Sequence, residues 1–151
     1  MLNKLSLVGK VVLVTGGSRS IGAEIVSEFS HTQNGNGKGS SIIITGFFLN
    51  SSIIEANALN LTHEQIEKEI LDYKPDYIAM TGASSMMNEV DKLIHLCPKN
   101  VKVIFGGIHA SSMPEEVLKN YSIIDLVVRG EGEETIVAIL EGKPLEQIDG
   151  L

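Results

Sequence analysis

The stretch Val101-Lys102-Val103-Ile104-Phe105-Gly106-Gly107-Ile108-His109-Ala110 decides the fold. A short apolar run that stops on glycine reads as a strand buried on both faces. The same pattern recurs along the chain. Val11-Val12-Leu13-Val14-Thr15 stops at Gly16-Gly17, Ser41-Ile42-Ile43-Ile44-Thr45 at Gly46, Tyr77-Ile78-Ala79-Met80-Thr81 at Gly82, and Asp125-Leu126-Val127-Val128-Arg129 at Gly130. Each glycine lets the chain turn off the edge of a sheet.

Helical patterns alternate with these runs. Ile21, Ile25, Val26 and Phe29 share one face. Thr62 and Gln65 spell a capping box ahead of Ile66 and Ile70, and that helix ends before Pro75. Met86, Met87, Val90, Leu93 and Ile94 make a third stripe. Ser112 and Glu115 spell a second capping box, with Pro114 in the first turn and Val117-Leu118 facing inward. Ile136, Val137 and Leu140 mark a last helix. Alternating βα units imply an α/β three-layer sandwich: an open parallel sheet of about five strands with helices on both faces, flavodoxin-like or Rossmann-like. The strand order stays open between 2-1-3-4-5 and 3-2-1-4-5.

One stretch breaks the alternation. Ile53-Ile54-Glu55-Ala56 also reads as a strand, yet no helix separates it from residues 41–45. Either the two form an antiparallel hairpin or one of them is not a strand. Upstream, Asn34-Gly35-Asn36-Gly37-Lys38-Gly39-Ser40 is a loop without an apolar residue.

Composition bounds the function. A chain of 151 residues fits a single α/β domain, and 43% hydrophobic with 21% charged residues is globular. The net charge of −7 disfavours a nucleic-acid backbone binder. The single cysteine, Cys97, excludes a disulfide framework, and Cys-rich zinc spacing is absent. No apolar run reaches the ~18 residues of a membrane span, and residues 1–10 carry no secretion signal. The expectation is a cytoplasmic protein with no membrane, nucleic-acid or obligate protein partner. The charge is uneven: residues 1–52 carry +2 and residues 53–151 carry −9. Such a step marks either a junction of segments or chance in a short segment.

Gly16-Gly17-Ser18-Arg19-Ser20-Ile21-Gly22 follows a strand and opens a helix, the setting in which backbone amides hold phosphate. It resembles the amino-terminal T-G-x-x-x-G-x-G turn of short-chain dehydrogenases/reductases over residues 8–46. Thr15, Gly16 and Gly22 match, and Ser20 replaces the middle glycine. The resemblance makes Gly16 and Gly22 candidate cofactor-binding positions; the alternative is a plain βα turn. The Tyr-x-x-x-Lys pair of that family is missing, since Tyr73, Tyr77 and Tyr121 have no lysine four residues on, and N-N-A-G is absent. NAD(P) is therefore an unlikely cofactor.

A second resemblance covers residues 53–151. Ile54-Glu55-Ala56-Asn57-Ala58-Leu59-Asn60-Leu61, Lys74-Pro75-Asp76-Tyr77-Ile78, Phe105-Gly106-Gly107-Ile108-His109-Ala110, Met113-Pro114-Glu115-Glu116-Val117-Leu118 and Val127-Val128-Arg129-Gly130-Glu131-Gly132-Glu133-Glu134-Thr135 run in order. They are similar to the cobalamin-binding domain at the amino terminus of many B12-dependent radical SAM enzymes. The resemblance implies cobalamin at the carboxyl edge of the sheet, weakly bound or absent in this chain. Candidate cofactor-binding residues are Gly82, Ser84, Ser85, Gly106, Gly107, His109, Gly130, Glu131 and Gly132. Ser111 and Ser112 offer further hydroxyls, and either Met86 or Met87 could floor a pocket.

The D-x-H-x-x-G motif that supplies a cobalt ligand in many cobalamin domains is absent, so His109 reads as a rim histidine and no metal ligand is assigned. His31, His63 and His95 share no ligand spacing. Glu131, Glu133 and Glu134 read as carboxylates favoured by a helix dipole, or as contacts to a cofactor tail. No catalytic residue is expected: one cysteine cannot make the C-x-x-x-C-x-x-C cluster of radical SAM chemistry. The two resemblances together suggest a recombined or engineered chimera, with residues 1–52 a Rossmann-like βαβ segment and residues 53–151 the cobalamin-binding-like segment. The expected function is a cobalamin-binding-like module that is not an enzyme. The alternatives are a chimera without selected function and a residual NAD(P)-binding fragment.

Overall fold

The computed structural model describes residues 10–15, 41–45, 49–54 and 61–151. Strands β1 (Lys10–Thr15), β2 (Ser41–Thr45), β3 (Leu49–Ile54), β4 (Tyr77–Thr81), β5 (Lys102–Gly106) and β6 (Leu126–Val127) form one sheet in the order β2-β3-β1-β4-β5-β6. Helices α1 (His63–Tyr73), α2 (Met87–Ile94), α3 (Ile108–Ser112), α4 (Pro114–Asn120) and α5 (Glu133–Leu140) follow in chain order. The expected turn at Gly16–Gly22, with its two candidate glycines, lies outside the described residues. So do the helix expected over Ile21–Phe29, the 34–40 loop, Gly46, His31, and residues 55–60.

The ambiguous strand pair is resolved as a hairpin. β2 runs antiparallel to β3, pairing Ser41 with Ile54 and Thr45 with Asn50. The strand expected at Ile53 begins earlier, at Leu49. β3 lies parallel to β1, with Lys10 opposite Leu49 and Thr15 opposite Ile54. The parallel pairs continue through β1 and β4, β4 and β5, and β5 and β6. The sheet thus has five parallel strands plus one antiparallel edge strand, and that edge is Ser41–Thr45, one of the five runs expected to be parallel, whose place is taken by β3. Counting the parallel strands alone, their order is 2-1-3-4-5, the flavodoxin-like choice. The point where the order reverses lies between β1 and β4, and a ligand crevice opens there in such sheets.

Alternation along the strands divides the core between the two faces. Ile78 and Met80 of β4, Val103 and Phe105 of β5, and Val127 of β6 face one side. There they meet Ile66 and Ile70 of α1, Met87, Val90 and Ile94 of α2, Ala110 of α3 and Val117 of α4. Ala79, Ile104 and Val128 face the other side and pack with Ile136, Ile139 and Leu140 of α5 and with Ile148. Met87 is the core methionine, and Met86 is exposed in the 3-10 turn Ser84–Met86.

The first capping box forms as read. Thr62 Oγ1 accepts from Gln65 N–H, and Gln65 Oε1 accepts from Thr62 N–H at 2.8 Å. Lys74 closes that helix in the left-handed region, and Pro75 cannot continue it. The second box does not form. Ser112 ends α3, the cap position of α4 is Met113, and no side chain caps it. The chain enters α3 directly from β5, so its serines belong to that helix and not to the next one's cap.

β6 holds two residues where five were expected. Its ladder nevertheless continues through Asp125 N–H to Val103 O at 2.9 Å and Val128 N–H to Phe105 O at 2.8 Å. The Asp125 carboxylate adds a bond from Val103 N–H at 2.9 Å and an ion pair with Lys102 Nζ at 2.6 Å. That pairing raises the Lys102 pKa, first through the hydrogen bond and then through the charge.

Ile78 is fully buried at the centre of the sheet. Replacing Ile78 with Val should cost about 0.5–1.5 kcal/mol and with Ala about 2–5 kcal/mol, read as shifts of the urea midpoint at unchanged slope.

Candidate functional site

Three loops leave the carboxyl edge of the sheet, after β4, β5 and β6, and their glycines do different work. Gly107 has φ 97° and ψ −170°, a region open essentially to glycine alone. A Cβ there would stand 3.3 Å from both the backbone N and O of Gly82. Gly82 is itself enclosed: a Cβ would meet Val90 Cγ2 at 3.1 Å and Phe105 Cζ at 3.2 Å. The β4 and β5 loops therefore touch backbone to backbone, with Gly82 N–H donating to Gly106 O and His109 N–H to Gly82 O, both at 3.4 Å. Gly130 differs. Its φ is 68°, and a Cβ would meet nothing within 4 Å, so there is open space beside it.

His109 is 8% exposed, and its Nδ1 lies 3.0 Å from Ser84 Oγ. The pair ties the β4 loop to α3. Ser111 Oγ donates to Gly107 O and accepts from Gly130 N–H, each at 2.9 Å, which ties α3 to the β6 loop. Seven candidates from the sequence, Gly82, Ser84, Ser85, Gly106, Gly107, His109 and Gly130, thus fall on this one edge. Ser84, Ser85 and Ser112 are exposed there. Glu131 is exposed just ahead of α5, and Gly132 is the buried cap residue of that helix. Glu133 and Glu134 occupy its first turn, as the dipole reading expects. Glu133 Oε1 is buried with no hydrogen-bond partner among the described residues.

Sequence reasoning missed three features of this edge. Ile108 is 76% exposed, although its place beside a strand end suggests core. Met113 is exposed as well. Arg129 bonds main-chain carbonyls near residue 150. Its N–H donates to Gly150 O at 2.7 Å and its Nη2 to Leu151 O at 2.6 Å. An apolar residue placed outside any helical stripe was the available signal for Ile108. Arg129 carried none.

Among the described residues no group of three or more His, Cys, Asp or Glu could hold a metal ion. His63 lies 3.9 Å from Glu89, and His95 Nδ1 lies 2.6 Å from Asp91 O, both at the surface. Burial pushes the Cys97 thiol up to about 12, and its Sγ contacts Leu93 O at 3.7 Å. No helix among the described residues is long and apolar enough to cross a membrane.

The chain belongs to a known class. The chain is a member of the B12-binding domain family, whose B12 binding domain matches residues 38–140. The match reaches further upstream than the expected boundary at residue 53 and takes in β2. Among individual proteins, the chain is 37% identical over 106 residues to an uncharacterized methyltransferase of Pyrococcus horikoshii, covering 66% of this chain and 23% of that one. It is 26% identical over 98 residues to the anaerobic magnesium-protoporphyrin IX monomethyl ester cyclase of Rubrivivax gelatinosus, covering 63% and 18%. The cyclase of the same name from Cereibacter sphaeroides is 30% identical over 91 residues, covering 58% and 15%. The chain spans less than a quarter of the length of these curated relatives.

Two outcomes test this geometry. Gly107→Ala should cost at least about 1–3 kcal/mol from its backbone conformation. Gly130→Asn should be nearly neutral, because Asn tolerates the left-handed region and the space is open; thermal unfolding compares the two. Alkylation of Cys97 by iodoacetamide at pH 8 should run on the order of a thousandfold slower than for a free thiol, and mass spectrometry reads the rate.

Proposed function

We propose that the chain binds cobalamin at the carboxyl edge of its sheet, as a module without catalysis of its own. The observation that carries this reading is the convergence of three glycine-tipped loops into one hydrogen-bonded edge, beside the point where strand order reverses. The residues there suit the cofactor. A corrin ring is broad and flat with amides on its rim. Exposed Ile108, Met86 and Met113 offer apolar surface, and Ser84, Ser85 and Ser112 offer hydroxyls to amides or a phosphate. A Cβ at Gly130 would meet nothing within 4 Å, so that loop leaves open space beside the edge. Gly82, Gly106 and Gly107 keep the edge low, and Glu131 and Gly132 stand where a tail would pass. His109, with its Nδ1 against Ser84, positions the β4 loop, and we do not assign it to cobalt.

Bound cobalamin supplies a cobalt–carbon bond for methyl or radical chemistry. The names of the relatives, a methyltransferase and two cyclases, support a cofactor-carrying role whose catalytic groups reside elsewhere. No nucleic acid, membrane or obligate protein partner is invoked, and the proposed setting is the cytoplasm.

The edge strand β2 favours a second reading. An antiparallel strand outside the five parallel ones is what a join between a Rossmann-like βαβ piece and a cobalamin module would leave, although the family match from residue 38 already includes this strand and moves any such join upstream of it. On that reading the chain is a recombined or engineered chimera without a selected ligand, and NAD(P) binding at Gly16 and Gly22 is residual at most.

Mixing the chain with aquocobalamin should shift the cobalamin absorption spectrum saturably. No shift at high micromolar cobalamin, with cooperative unfolding intact and no change in nicotinamide fluorescence on NADH titration, would favour the chimera instead.

A further inference from the structure

The five residues of α3 do more than connect β5 to α4. Helical residues two apart point about 200° from each other, to opposite sides. His109 and Ser111 are such a pair, and β5 lies between β4 and β6. His109 accordingly reaches the β4 loop, through Ser84 Oγ at 3.0 Å and through its own N–H to Gly82 O. Ser111 reaches the β6 loop. A helical serine commonly bonds back to the carbonyl four residues earlier, and the 2.9 Å bond to Gly107 O is of that kind. The bond that Ser111 Oγ accepts from Gly130 N–H, nineteen residues on, is not local. Gly130 is exposed and sits beyond the last ladder bond of β6, so its N–H has no strand to pair with, and Ser111 Oγ supplies the partner that orders it.

We infer that α3 is a two-sided brace that fixes the spacing of the three loops, and that Ser111 is the positioning residue for the β6 side. The ligand half of this inference rests on the cobalamin reading. The brace itself does not, because every bond in it is made by the chain alone. A preformed edge binds without the entropy loss of ordering its loops, so a loosened β6 loop weakens binding even where Ser111 touches no ligand.

The test uses the full chain with Ser111→Ala and Ser111→Thr, read by amide hydrogen exchange without ligand, by aquocobalamin titration and by the urea midpoint. In the unaltered chain the Gly130 amide should be protected in the absence of ligand. Ser111→Ala should speed its exchange about tenfold or more while the urea midpoint holds, and should weaken cobalamin binding roughly five- to tenfold. Ser111→Thr, which keeps the hydroxyl, should restore both. Unchanged exchange at Gly130 in Ser111→Ala overturns the brace. Equal cobalamin affinity in the unaltered chain and Ser111→Ala overturns its positioning role. A chain that binds no cobalamin, yet shows the exchange change, sinks the ligand reading and supports the brace.

Discussion

At Gly107 the backbone takes a conformation closed to other residues and rests directly on the backbone of Gly82, with no side chain between them. The carboxyl edge of the sheet is organised around that contact. It sets how α3 leaves β5, which brings His109 to Ser84 and Ser111 to Gly130. Below it, Phe105 and Val90 fill the space that a Cβ on Gly82 would need, so the apolar core reaches up to the floor of the edge. Stability and site geometry are therefore one problem here: the interior that holds β4 against β5 also fixes the height of the loops.

The core explains why these loops are level with one another. β4 and β5 pair in register from Tyr77 opposite Lys102 to Thr81 opposite Gly106. Both strands stop at the same height, and β6 is carried to that level by Val128 on Phe105 O. Among the described residues, the face bearing α1 to α4 carries the larger apolar cluster, and α5 and Ile148 pack on the other.

Much of this was legible in the chain because one signal, an apolar run ended by glycine, depends only on local chemistry. Tyr77–Thr81 and Ser41–Thr45 were read at their observed bounds, and the box of Thr62 and Gln65 was recognisable because both partners lie within one turn. The box at Ser112 misled because the sequence does not say which of two abutting helices owns a serine. Long-range pairing was not legible: nothing near Ser111 announces Gly130, and nothing near Arg129 announces Gly150. Glycines gave the subtler difficulty. Clearance for a ligand and clearance for the chain's own backbone leave the same letter, and only coordinates separate Gly107, which needs the latter, from Gly130, which has open space beside it.

Arg129 has a different lesson. It holds residues 150 and 151 by their carbonyl oxygens, and Thr135 Oγ1 holds residue 149 in the same way, at 2.7 Å. Main-chain carbonyls are common to every amino acid, so this fastening recognises the path of the chain and not its spelling. The side chain of Asp149 takes no part in this fastening. At Gly150 the side chain does matter, because a methyl group there would press to 2.6 Å from the Thr135 hydroxyl. A stretch that looks featureless is thus anchored firmly, with a single letter under constraint.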